Sequence, residues 1–116
     1  MTLPFQNRQY QVLNRQEGTA EWGKNPTERT VKELLDFGVI NLNKPKGPTS
    51  HMASDYVQKV LGIPKAGHGG TLDPGVTGVL PVALGKATKI LQALLPAGKE
   101  YITIAHLHTD VTEESI

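Results

Sequence analysis

The sequence predicts an α+β domain in which helices pack on a mixed or antiparallel sheet, and three features of its 116 residues lead there. Two stretches, Ala53 to Leu61 and Ala87 to Leu95, carry apolar residues at helical spacing. Three shorter runs, Val39 to Leu42, Val79 to Leu84 and Tyr101 to His108, read as strands, the last by its alternation. Between them Gly38, Gly62 and Pro96-Ala97-Gly98 supply the breaks that end elements sharply.

Met1 to about Asn25 lacks apolar periodicity and is rich in Gln, Asn and Arg, so it reads as an extension that must wrap on something to become ordered. Trp22 is its candidate docking anchor. Thr30 and Glu33 make a capping box for a short helix with Val31, Leu34 and Leu35 on one face, ended by Gly38. The strand Val39 to Leu42 follows. Thr49 or Ser50 can cap the next helix, whose apolar stripe is Ala53, Tyr56, Val57, Val60 and Leu61 and which Gly62 closes. After the strand Val79 to Leu84, a helix from Lys86 to Leu95 is expected to bury Ala87, Ile90, Leu91, Leu94 and Leu95. In the last segment Tyr101, Thr103, Ala105 and Leu107 alternate with Ile102, Ile104, His106 and His108. No internal repeat is present.

A hydrophobic content of 38% with 20% charged residues is ordinary for one modest globular domain. No apolar run approaches the roughly 18 residues of a membrane-spanning helix, and no apolar core of a signal peptide opens the chain. A soluble, intracellular protein is expected, with no membrane partner. With no cysteine there is neither a disulfide nor a thiolate metal site, and His51, His68, His106 and His108 form no ligand constellation beyond one His-x-His pair. Neither a metal nor a cofactor is expected. Residues 1–36 balance five basic against five acidic side chains, residues 37–100 carry seven against three, and residues 101–116 carry three acidic and none basic. The basic middle block suits a phosphate-bearing polymer, although lysines in such numbers also make an ordinary solvated face.

That block holds the most unusual segment, Gly67-His68-Gly69-Gly70-Thr71-Leu72-Asp73-Pro74-Gly75-Val76-Thr77-Gly78. Glycines at 67, 69, 70, 75 and 78 are expected to allow positive φ and close approach to the main chain, while Pro74 stiffens the residue beside the acid. Such a loop presents Asp73 rather than burying it. Leu-Asp-Pro-Gly alone is also ordinary turn chemistry. A plain turn, however, does not need five glycines, a histidine and a threonine around one carboxylate.

The run resembles motif II of the TruB-type pseudouridine synthases, in the form found in archaeal dyskerin-like members of that family. Lys44-Pro45-Lys46-Gly47-Pro48-Thr49-Ser50 is similar to the family's motif I, and Gly98-Lys99-Glu100-Tyr101 to its GKEY segment. The resemblance runs from about Thr19 to Ile116, with the motifs in the family's order and spacing. It implies a pseudouridine synthase fold, incomplete here, with residues 1–29 as an N-terminal extension and 30–116 as the first part of the catalytic domain. In the family the extension packs on a C-terminal RNA-binding domain.

By the same resemblance the chain belongs to an RNA pseudouridine synthase acting on rRNA or tRNA under a box H/ACA guide RNA. The implied partners are target RNA, guide RNA and three accessory proteins: a small zinc-ribbon-type subunit, a glycine-arginine-rich-type subunit and a kink-turn-binding protein. The implied location is the cytoplasm in an archaeon or the nucleolus in a eukaryote. Asp73 matches the catalytic aspartate, Tyr101 the tyrosine that stacks on the flipped base, and His68 the histidine beside the substrate. Lys44 and Lys46, with Gly69, Gly70 and Thr71, match positions that brace the loop or contact RNA. In the family the basic residue that pairs with the aspartate and the layer that covers Lys86 to Leu95 and Lys99 to His108 fall after Ile116, so residues 1–116 alone are expected to be inactive and poorly folded. Two other readings come from the residues themselves, a phosphate-binding module built on a glycine-rich loop and a non-catalytic RNA-binding or assembly segment.

Overall fold

The computed structural model describes residues 23–109 and 112. Trp22, most of the expected extension and the acidic stretch from Asp110 to Ile116 except Thr112 lie outside the described residues. The elements run as a 3-10 turn Pro26–Glu28, α1 (Val31–Phe37), β1 (Val39–Lys44), α2 (Ser50–Leu61), β2 (Ala66–His68), β3 (Gly78–Leu84), a 3-10 segment Gly85–Ile90 and α3 (Leu91–Leu94). The described strands form one antiparallel sheet in the order β1-β3-β2, the α+β layout expected.

The capping box forms as its residues dictate. Thr30 Oγ1 accepts the Glu33 N–H at 3.3 Å, and the Thr30 N–H and hydroxyl both donate to the Glu33 carboxylate, at 2.8 and 2.9 Å. Lys24 reaches the other Glu33 oxygen at 2.7 Å. The Lys24 bond, followed by the two from Thr30, holds the carboxyl at a pKa of about 2 instead of the ordinary 4.5. Thr49 caps α2 by accepting the Met52 N–H at 3.1 Å, and Gly62 ends it in the left-handed region at φ 61°.

β3 is the centre of the core. Leu80, Val82 and Leu84 share one face and pack with Ala53 of α2, joined by Leu35, Ile40, Leu42, Val57, Leu61 and Leu72. On the opposite face Ala83 is fully buried, and Gly67 and Gly69 lie against Leu91, so close that a Cβ on Gly67 would stand 3.0 Å from Leu91 Cδ1. Pro81 sits in this central strand without an N–H to give. Its carbonyl points to the β2 side and accepts the Gly69 N–H at 2.8 Å, just past the last β2 pairing of His68 with Val82. The missing donor would face Gly69, one residue past the end of β2, so only the last bond of this pairing is lost.

Several expectations need correction. Tyr56 and Val60 are 70% and 65% exposed, because the inward face of α2 is formed by Ser50, Ala53, Ser54, Val57 and Leu61, and the two serines displace the apolar stripe sideways. In α1 Val31 and Leu34 are exposed and only Leu35 packs on the core. The helix expected over Lys86 to Leu95 is a 3-10 segment followed by one α-turn, and Ile90 and Leu95 point outward. Its start is set by Gly85, which at φ 51° lies so close to the Asp36 backbone that a Cβ would stand 2.8 Å from the carbonyl oxygen. β2 was not expected from the sequence, since three residues containing a glycine carry too little alternation. Residues 101–107 form no strand: each is exposed, and none joins the sheet.

Candidate active site

Motif II begins in β2 and ends in β3, and what places Asp73 is the set of bonds to its neighbours. Ser50, at the start of α2 and only 2% exposed, spends its hydroxyl on Leu72: it accepts the Leu72 N–H at 2.8 Å and donates to the Leu72 carbonyl at 3.2 Å. On the other side of the acid, the Gly47 N–H donates to the Pro74 carbonyl at 2.7 Å. Within the loop the Val76 N–H closes a turn onto the Asp73 carbonyl at 3.0 Å. The backbone around Asp73 is tied down, whereas its side chain is exposed and takes no hydrogen bond or ion pair among the described residues.

Motif I supplies these ties because its own turn is held from inside. Lys44 has no exposed surface, and its ammonium donates to the carbonyls of Pro45 at 2.9 Å and Pro48 at 2.8 Å. Gly47 adopts φ 119°, a region that strongly favours glycine, and that conformation aims its N–H at Pro74. Lys46 is exposed. The two motif lysines thus differ in kind: Lys44 is a buried brace, and Lys46 is exposed.

A cleft of about 550 Å³ opens beside the loop, between Gly69 to Leu72 and β3 on one side and Ala97 to Ile102 on the other. Tyr101 stands at its wall with 65% of its surface exposed, and Gly69, Gly70, Thr71 and Lys99 contribute to the lining. Lys99 also braces the turn below, donating to the carbonyls of Leu95 at 2.8 Å and Ala97 at 3.1 Å. Asp73 and His68 do not line this cleft. His68 pairs with Val82 and so lies on the α2 face of the sheet, where Nδ1 bonds the Gly70 carbonyl and its ring meets His51 edge-on at 6.5 Å. The structure gathers Tyr101, Gly69, Gly70 and Thr71 around one opening and sets Asp73 on the adjoining exposed turn.

The glycines do less by positive φ than expected. Gly67, Gly69, Gly70 and Gly75 have negative φ, and the demand at 67 and 69 is closeness to Leu91. Ser50 was missed as part of the site. Its signal is the Thr49-Ser50 pair, because one hydroxyl suffices to cap α2 and the second is left for another task. Motif II leads into a strand rather than a helix, which removes the helix N-terminus that a phosphate cradle would use. Among the described residues no group of His, Asp and Glu is placed to hold a metal ion, and no helix is long and apolar enough to cross a membrane.

Residues 58–116 match the TruB family pseudouridylate synthase (N terminal domain), and residues 2–53 match the DKCLD (NUC011) domain, so likeness extends further toward the N-terminus than Thr19. A protein of Methanopyrus kandleri named "Probable tRNA pseudouridine synthase B" is 56% identical over 116 residues, covering 98% of this chain and 34% of its own length. One of the same name from Pyrococcus furiosus is 58% identical over 100 residues, or 86% of this chain and 29% of that protein. Among solved structures, a Cbf5-Nop10-Gar1 complex contains a chain with TM-score 0.77 and 57% identity over 85% of this chain and 30% of that one. An H/ACA RNP bound to a substrate RNA containing 2'-deoxyuridine contains another, with TM-score 0.76 and 57% identity over 85% and 31%. The chain spans about a third of the length of the curated relatives it matches.

Proposed function

The chain belongs to the TruB pseudouridylate synthase family, and from that premise we propose that it forms the first part of the catalytic domain of an RNA pseudouridine synthase, with Asp73 as the catalytic carboxylate. The observation that carries this reading is the contrast at Asp73: the main chain is held on both sides by motif I while the carboxylate is bare and exposed beside a cleft. A turn that served only to reverse the chain would not need that tether.

The reaction breaks the bond between ribose C1′ and uracil N1, turns the base and joins C1′ to C5. The C5 proton leaves and N1 gains one, so no redox partner or group donor enters. It needs a well-placed carboxylate and a pocket that keeps the detached base. Asp73 supplies the first, acting on the sugar or the base. The target must leave its stack to reach it, and Tyr101, on an open cleft wall, offers a flat surface for the flipped ring. The cleft walls of Gly69, Gly70 and Thr71 let the nucleotide approach the main chain. His68 supports the loop through Gly70, Lys44 braces motif I and Lys46 contacts phosphate.

The substrate is a uridine in rRNA or tRNA. Guidance by an H/ACA RNA with two small accessory proteins is supported by the Cbf5-Nop10-Gar1 complex and the H/ACA RNP in which the similar solved chains occur, and a kink-turn-binding protein completes the proposed set. Residues 1–29 serve as the N-terminal extension. The test is tritium release from 5-tritiated uridine in guided target RNA by the full coding sequence carrying Asp73→Asn. Asn keeps the turn and loses charge and basicity, so turnover is abolished with RNA binding intact; residual turnover within tenfold of wild type refutes the assignment.

A further inference from the structure

We propose that Ser50 is a positioning residue for Asp73, holding the peptide groups on both sides of Leu72 so that the carboxylate is presented at a fixed place beside the cleft. The inference rests on the role given to Asp73 above. One hydroxyl both accepts the Leu72 N–H, at 2.8 Å, and donates to the Leu72 carbonyl, at 3.2 Å, across 22 residues of sequence. Because that carbonyl belongs to the peptide linking Leu72 to Asp73, the bond fixes the plane from which Asp73 begins.

Three further observations make this tether firm. Ser50 is 2% exposed, so water cannot readily take over either bond. It sits at the first residue of a twelve-residue helix whose next turn is seated in the core through Ala53 and Ser54, and Ser54 Oγ in turn donates to the His51 carbonyl at 2.9 Å. Leu72 itself packs against that core, and Gly47 holds Pro74 on the far side of the acid. Asp73 is therefore a residue whose side chain has no partner among the described residues, its own carbonyl tied to Val76, between two anchored neighbours. Capping does not require Ser50, since Thr49 already fills that role.

The test uses the full coding sequence assembled with guide RNA and accessory proteins, comparing Ser50→Ala, Ser50→Thr and Asp73→Asn with wild type. Single-turnover tritium release at saturating RNA, RNA affinity and amide hydrogen exchange are measured for each. A displacement of about 1 Å at a reacting group costs on the order of 100-fold in rate, so Ser50→Ala loses on that order with RNA affinity unchanged. Its Leu72 amide exchanges faster while the β3 amides keep their protection. Ser50→Thr, which retains the hydroxyl, runs at least about tenfold faster than Ser50→Ala. The proposal is overturned by a Ser50→Ala rate within threefold of wild type, by loss of β3 protection in step with the rate, or by Ser50→Thr no faster than Ser50→Ala. Asp73→Asn separates the two claims: an active variant removes the role of Asp73 itself, whereas an inactive one beside a fully active Ser50→Ala removes only that of Ser50.

Discussion

Replacing Lys44 by Met discriminates between the two tasks a motif lysine can have. Lys44 has no exposed surface and its ammonium makes two hydrogen bonds, to the carbonyls of Pro45 and Pro48. Met fills nearly the same volume but removes two hydrogen bonds from a charged donor, each worth about 1.5–3 kcal/mol, of which water recovers part because Pro45 is exposed and Pro48 half-buried. Part of this is returned because a desolvated ammonium is no longer held inside the protein. The balance is a loss of about 1–2 kcal/mol in folding stability, accompanied by a looser motif I turn and a slower reaction. Denaturant unfolding of the full coding sequence measures the first and single-turnover tritium release the second.

RNA affinity as a function of salt supplies the contrast. A lysine that neutralises a phosphate contributes about one unit to the slope of log K against log salt. Lys44 is buried and committed to carbonyls, so the slope for Lys44→Met equals that of wild type. Lys46 is exposed, and Lys46→Met lowers the slope by about one unit with stability unchanged. A Lys44→Met protein with full stability and a reduced slope would refute the bracing role.

Tyr101→Ala weakens target RNA binding by about 1–3 kcal/mol relative to Tyr101→Phe, as stacking on the ring requires; equal binding by the two variants, in filter-binding titrations, excludes the stacking role. Gly85→Ala destabilises the fold by about 1–3 kcal/mol, because φ is positive and the Asp36 backbone occupies the Cβ position, whereas Gly75→Ala, facing open space at negative φ, changes unfolding by less than about 0.5 kcal/mol. Glu33 is held at a pKa of about 2 by Lys24 and Thr30, so its contribution to stability is complete above the ordinary value of 4.5 and is lost as pH falls toward 2. Acid titration of wild type and Glu33→Gln by circular dichroism shows this loss in wild type only; parallel curves refute it.

Much of this architecture is legible in the sequence because its elements carry local chemistry. The box of Thr30 and Glu33 and the stop at Gly62 are each decided within a few residues and occur as read, and of the two cap candidates Thr49 and Ser50 the helix uses Thr49. Pro81 is harder: a proline ordinarily marks an edge strand, yet β3 is central. Only the register, with β2 ending opposite Val82, shows that the absent N–H falls at the very end of the pairing, opposite Gly69. The site divides similarly. Asp73 on an exposed turn follows from its Pro-Gly neighbours, but the bond from Ser50 spans 22 residues and leaves no local trace. His68 and Tyr101 belong to motifs close in sequence order, and the fold separates them: His68 lies on the α2 face of the sheet, whereas Tyr101 lines the cleft, which His68 does not reach.

Residues 101–107 show why alternation alone does not make a strand. Ladder bonds to a neighbour stabilise an extended segment, and period-two patterning only says which side chains would be covered if that neighbour were present. Here β1 pairs with β3 on one side and β3 with β2 on the other, so this segment has no place inside the described sheet. Ile102 and Ile104 are 97% and 85% exposed, although the pattern puts both on one side. Tyr101 stands at the start of this segment and at the cleft wall, 65% exposed. Pairing of 101–107 with a further strand would restrain Tyr101 without altering the ties at Leu72 and Pro74. The two halves of the proposed site therefore differ in how they are held: Asp73 lies between neighbours tied to motif I, whereas Tyr101 opens an exposed segment that pairs with no strand among the described residues.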